Sequence, residues 1–191
     1  MSHRAIFLDR DGTINYDTGY IKNPDDVKIL DGVSEGIRKL KCEFGFKIVV
    51  ISNQAGVAKG LMTIEDVEII NSRIDLILRK DNAEIDKFYY CPFHPEFSTE
   101  EEAKCRKPSP LMIFKAAEEL DLDLSKSYMI GDRDSDILSG INAGVKTVLL
   151  ESDIYEAELS ALHNQNKKPN FVAANFKEAC DFIVNDFGGC N

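Results

Sequence analysis

The chain of 191 residues has no run of 18 consecutive apolar residues, which excludes an obvious membrane-spanning helix. Positive charge is scarce: 23 Lys and Arg face 33 Asp and Glu, a net charge of -10. That deficit argues against a nucleic-acid partner or a membrane-surface partner, and an anionic ligand would need basic groups gathered locally. Cysteine is sparse and unevenly spaced, at Cys42, Cys91, Cys105, Cys180 and Cys190. An odd, scattered set excludes a dense disulfide framework and predicts reduced thiols, or at most one metal site. Repeats, low-complexity segments and inter-domain linkers are also missing. With 43% hydrophobic residues, the length suits one domain over 1–191. Met1-Ser2-His3-Arg4 runs directly into an apolar segment, which leaves no room for a signal peptide and predicts a cytoplasmic protein.

What is present is a regular alternation of apolar runs and amphipathic stretches. Ala5-Ile6-Phe7-Leu8 reads as a strand buried on both faces, and it stops at Asp9-Arg10-Asp11-Gly12-Thr13. Residues 14–30 carry no sustained period and predict a long irregular loop. A helix follows over 34–43, a β-branched strand over 47–51, and a helix capped by Thr63 that runs to about residue 80. A strand over 86–91, an acidic loop over 92–104 and a helix opening at Ser109-Pro110 come next. The pattern closes with a strand over 128–130, a helix over 137–143, a strand over 145–150 and a helix over 176–187. His163 lies in a polar stretch and predicts a surface position.

Strands alternating with helices predict an α/β fold, a doubly wound (Rossmann-like) parallel sheet with helices on both faces. In such sheets ligands gather at the carboxyl ends of the strands. That rule brings Asp9 and Asp11, Ser52 and Asn53, and Asp132 with Asp134 and Asp136 to one rim. Taken singly, Ser52-Asn53 suits a turn, Arg106-Lys107 a solvated basic pair, and Gly131-Asp132 with Asp136 an acid-rich helix start. Their ordered coincidence suits phosphoryl transfer. Asp9 and Asp132 can hold a hard divalent cation such as Mg²⁺, and Asp9 can attack phosphorus once the cation and Lys107 have offset the repulsion between anions. Asp11 can carry the proton, and Ser52 and Asn53 can donate to phosphate oxygens.

Asp9-Arg10-Asp11-Gly12-Thr13, Ser52-Asn53, Lys107 and Gly131-Asp132, in this order, resemble the four motifs of the haloacid dehalogenase superfamily of phosphohydrolases. Within it, Gly19-Tyr20-Ile21, the stretch from Ser52 to Gly60, Tyr89-Tyr90-Cys91-Pro92 and Cys105-Arg106-Lys107-Pro108 resemble the heptose bisphosphate phosphatases. Histidinol-phosphate phosphatases are the sister group. The resemblance implies a fold without a separate cap domain and an assignment of roles: Asp9 as nucleophile, Asp11 as acid/base, and Lys107 as charge-neutralising lysine. It further implies Ser52, Asn53, Arg106 and Arg133 at the substrate, and Mg²⁺ on Asp9, the Asp11 carbonyl and Asp132. The implied substrate is a small sugar phosphate, and the expected state is a monomer. Histidinol phosphate is the second substrate reading, and a catalytically idle phosphate-binding or scaffold protein the third. Relatives of this kind carry a structural zinc on Cys-x-His and Cys-x-Cys pairs. Here Phe93 and Ala103 stand at two of those positions, so Cys91, His94 and Cys105 leave at most three zinc ligands and zinc is disfavoured.

Overall fold

The computed structural model describes residues 2–188, so Cys190 lies outside the described residues. Six strands form one parallel sheet: β1 (Ala5–Leu8), β2 (Lys47–Asn53), β3 (Lys87–Cys91), β4 (Tyr128–Gly131), β5 (Lys146–Leu150) and β6 (Phe171–Ala173). Their order across the sheet is β3-β2-β1-β4-β5-β6. The helices are α1 (Val33–Arg38), which continues as a π-turn over Lys39–Glu43, α2 (Ala55–Ala58), α3 (Ile64–Arg79) and α4 (Glu100–Ala103). They are followed by α5 (Leu111–Leu120), α6 (Asp134–Ala143), α7 (Tyr155–Asn164) and α8 (Phe176–Gly188). Among the described residues, no helix is long and apolar enough to cross a membrane.

Side chains alternate across a strand, so β1 feeds two cores at once. Ile6 and Leu8 join Ile48, Val50 and Ile130 beneath α1, α3 and α8. Ala5 and Phe7 join Val49, Ile51 and Met129 beneath α5. All four residues of β1 are fully buried, each large one contributing about 1.5–3 kcal/mol on leaving water. Thr63 caps α3 in a reciprocal capping box with Asp66, as the sequence signal predicts.

The structure departs from the sequence reading in several places, the short helix α2 after β2 among them. The 92–104 loop contains the short helix α4, started by a capping box between Thr99 and Glu102. Helix α6 begins at Asp134 rather than at 137, because its polar first turn is stabilised by caps and not by an apolar stripe. Helix α7 and strand β6 were not expected, and α7 buries only Leu162 fully. Cys91 and Cys105 form a disulfide, which corrects the expectation of reduced thiols at these positions. The end of β3 meets the returning loop with a Cα–Cα distance of 5.6 Å, inside the range a disulfide spans.

Two contacts outside the rim hold this frame. Before β3, Asp86 accepts from the Ile48 main chain at 2.8 Å and from Lys41 and Lys47 at 2.9 and 3.0 Å. Burial pushes its carboxyl up, but these donors outweigh it and hold the group below its ordinary value of 3.8. A depressed folded value gives stability that is present above the ordinary carboxylate range and lost as pH falls through the folded value. On α1, a Cβ at Gly36 would lie 2.6 Å from Cys180 Sγ and 2.7 Å from the Phe176 ring, so α1 and α8 approach only because that position is bare. Asp86→Asn should cost about 1–2 kcal/mol at pH 7, and urea titrations should show the cost shrinking as the pH falls below the ordinary carboxylate range. Gly36→Ala should lower the unfolding free energy read from urea titration by about 1–3 kcal/mol, despite the better helix propensity of alanine.

Candidate active site

Strands β1 and β4 are neighbours, and from β1 the chain winds outward through β2 and β3 before returning to β4. The crevice at their carboxyl ends is the switch point at which ligands bind in open α/β sheets. Asp9 leaves β1 there, with its main-chain N–H still donating to Ile130 of β4 at 3.0 Å, and Asp132 leaves β4 beside it. Two glycines make room. Gly12 has φ +84°, and a Cβ on it would lie 2.4 Å from Asp132 Oδ2; a Cβ on Gly131 would lie 2.3 Å from Asp136.

Carboxylate oxygens of Asp9, Asp132 and Asp136 lie within 4.8 Å of one another, and all three residues are buried. Lys107 reaches into this group from the loop before α5. Its ammonium donates to Asp9 Oδ1 at 2.7 Å and to the Ile51 carbonyl at 2.8 Å, and it pairs with Asp136 Oδ1 at 2.6 Å. Two hydrogen bonds and one ion pair thus hold the ammonium. Asn53 fixes the main chain of Lys107 from both sides: its Oδ1 accepts the Lys107 N–H at 3.0 Å and its Nδ2 donates to the Lys107 carbonyl at 3.1 Å.

One ammonium cannot balance three carboxylates. Burial, with Asp136 as the leading charge, pushes Asp9 up to about 8, against the opposing pull of Lys107. Burial and Asp136 push Asp132 up to about 7. For Lys107 burial works downward, but Asp136 and Asp9 outweigh it and hold the ammonium above its usual value. Asp132 Oδ1 is buried without a hydrogen-bond partner. An oxygen-only, net-negative cluster with an orphaned carboxylate oxygen fits a hard divalent cation. The converging third carboxylate is that of Asp136; the Asp11 side chain is turned away, so any share of Asp11 in the metal site falls to its main-chain carbonyl. The signal for Asp136 was present in the sequence, as an acid four residues after Asp132 and one helical turn away.

Beside these groups lies a cavity of about 550 Å³, lined by residues that include Asp9, Asp11, Asn53, Tyr20, Arg106 and Arg133. Arg106 is half-buried, with Nη1 lacking a hydrogen-bond partner. Burial lowers its pKa, against the opposing influence of Tyr20. Arg133 is ringed by Asp17, Asp132 and Glu158 at 3.4, 3.5 and 3.6 Å. Ser52 is buried and accepts from Gln54 Nε2 at 3.3 Å. All the expected rim residues are therefore brought together. The weaker zinc set is not assembled: Cys91 and Cys105 are bonded to each other, and His94 Nδ1 accepts from the Glu96 main chain at 3.3 Å. Sequence reading did not single out Glu158, whose Oε2 accepts from Asp134 N at 2.6 Å, and no local motif marks it.

Comparison with known proteins agrees with this geometry. A family model described as HAD-hydrolase-like matches residues 104–179. The D-glycero-beta-D-manno-heptose-1,7-bisphosphate 7-phosphatase of Salmonella typhi is 42% identical over 184 residues, covering 95% of this chain and 89% of that protein. The enzyme of the same name from Escherichia coli K12 is 42% identical over 149 residues, covering 76% of this chain and 78% of that protein. The crystal structure of the D,D-heptose 1,7-bisphosphate phosphatase of B. bronchiseptica, complexed with magnesium and phosphate, superimposes with a TM-score of 0.82. It is 26% identical and covers 96% of this chain and 99% of that one. Sequence kinship over nearly the whole length, on a fold and rim of this kind, places the chain in the haloacid dehalogenase-like family of phosphoric monoester hydrolases, among the heptose bisphosphate phosphatases.

Proposed function

We propose that the chain is a Mg²⁺-dependent phosphatase that removes the 7-phosphate of D-glycero-β-D-manno-heptose 1,7-bisphosphate through an aspartyl phosphate on Asp9. The observation that carries this reading is the buried Asp9 carboxylate, held by Lys107 beside the Asp132 and Asp136 carboxylates and lining a cavity that Arg106 and Arg133 also line. The names of the relatives support this choice of substrate and of the position cleaved.

Asp9, Asp132 and Asp136, with the Asp11 carbonyl, are the residues that would hold the cation. When bound, Mg²⁺ supplies positive charge opposite the phosphate oxygens and offsets the crowded carboxylates. Asp9 attacks phosphorus while Lys107 lowers the repulsion between the two anions. Asp11 donates a proton to the leaving sugar oxygen, and its carboxylate then takes one from the water that hydrolyses the acyl phosphate. Ser52 and Asn53 lie at the transferring phosphate, with the Asn53 amide acting chiefly through the main chain of Lys107. Arg106, whose Nη1 lacks a hydrogen-bond partner, lines the same cavity and suits the phosphate that is not cleaved, by the charge-assisted bonding arginine makes with phosphate. Arg133, already surrounded by three acids, contributes through the shape of the rim and its contact with the substrate end of the cavity.

Phosphate release should be fastest, by kcat/KM, on the β-anomer of the heptose bisphosphate, ahead of the α-anomer and of histidinol phosphate; a preference for histidinol phosphate would replace the substrate reading. Asp9→Asn should lower kcat on the order of 10⁴-fold or more, and Asp11→Asn on the order of 10²- to 10⁴-fold. A separate readout tests the cation. Mg²⁺ should raise the melting temperature of the wild type, since it binds the folded site. Asp132→Asn should abolish that rise, and an undiminished rise in that variant would remove Asp132 from the metal site.

A further inference from the structure

Arg10 sits between the two acids of the first motif, yet its side chain leaves the rim and is one of the largest fully buried side chains of the protein. Each of its three guanidinium nitrogens donates. Nε donates to both oxygens of Asp11 at 3.2 Å, and Nη2 donates to Asp11 Oδ2 at 2.8 Å and to Gln54 Oε1 at 3.0 Å. Nη1 donates to Asn71 Oδ1 of α3 at 3.1 Å. The Asp11 carboxylate also accepts from Asn15 Nδ2 at 2.9 Å and from Gln54 Nε2 at 3.1 Å, and Gln54 reaches Ser52 Oγ as well.

A guanidinium is costly to remove from water, and the same volume could be filled by apolar atoms if packing were the need. Among the described residues, Asp11 is the one carboxylate in ion-pair contact with Arg10. A planar fork fixes both the distance and the plane of a carboxylate, which a lysine ammonium does not. Arg10 is itself anchored to α3 through Asn71 and to the residues after β2 through Gln54. The Asp11 side chain, pinned on that inner side, keeps 21% of its surface open and lines the cavity.

We infer that Arg10 is a positioning residue, which with Gln54 holds the Asp11 carboxylate in the plane from which it serves the leaving oxygen. The inference rests on the acid/base reading of Asp11. The network reaches the phosphate cradle too, because Gln54 bridges Asp11 and Ser52. Proton delivery and phosphate binding are thus set by one buried cluster.

Leaving-group dependence separates this role from a packing role. A sugar alkoxide needs a proton as it departs, whereas p-nitrophenolate leaves with little help. First-turnover rates should therefore be measured on the heptose bisphosphate and on p-nitrophenyl phosphate for wild type, Arg10→Lys, Gln54→Leu and Asp11→Asn. Arg10→Lys should lose on the order of 10²-fold on the sugar phosphate and less than about threefold on the aryl phosphate, with Gln54→Leu showing the same bias at roughly tenfold. Equal losses on both substrates, or no loss on either, would overturn the inference. If Arg10→Lys does not fold, as judged by circular dichroism, Gln54→Leu decides by the same criterion. Asp11→Asn distinguishes the two levels. Equal losses in that variant remove the acid reading and this inference with it, whereas bias in Asp11→Asn without bias in Arg10→Lys removes the inference alone.

Discussion

The buried ammonium of Lys107 is the contact on which the rest of the rim depends. It donates to Asp9 and the Ile51 carbonyl and pairs with Asp136, in a place almost closed to solvent. Removing it would leave buried carboxylates facing one another, and the sheet end would lose the reason to bring them together. Lys107 is in turn no accident of side-chain packing. Its main chain is clasped by Asn53 at the end of β2, and the segment before it is tied to the end of β3 through the Cys91–Cys105 disulfide. Three strands and one loop therefore converge on a single cation.

Lys107 offsets only part of the negative charge, and that imbalance links structure to function. Burial and the Asp136 charge push Asp9 up to about 8 and Asp132 up to about 7. A structural cluster would relieve such crowding by spreading its acids apart. Here Gly12 and Gly131 do the opposite, by leaving out the side-chain atoms that would keep Asp132 and Asp136 at a distance. The crowding is built in, as expected where a divalent ion and a phosphate are to be received.

Much of this was legible in the chain itself. Strands β1, β2 and β4 are covered on both faces, so they appear as unbroken apolar runs, and their polar ends mark the rim directly. Strand β6 escaped notice because it is three residues long at the sheet edge. Helix α7 did so because its apolar stripe is thin. The start of α6 was read three residues late, since Asp134, Ser135 and Asp136 spend their side chains on capping and on the site rather than on a core. Asp136 was visible as a rim acid but not as the third converging carboxylate, since only the chain path shows that it meets Lys107 while Asp11 turns inward. The direction taken by Arg10 was likewise hidden, because sequence shows an arginine beside acids but not which face of the loop it leaves. Pairing of Cys91 with Cys105 required the geometry of the loop that separates them.

The central claim is that Asp9 becomes phosphorylated during turnover. Acid-quenched enzyme, taken while it is turning over the heptose bisphosphate with Mg²⁺, should be digested with trypsin and examined by mass spectrometry. The account predicts one added phosphoryl group on the peptide that runs from Ala5 to Arg10, lost in Asp9→Asn. Active enzyme with that peptide unmodified, or with the phosphoryl group on another residue, would contradict it.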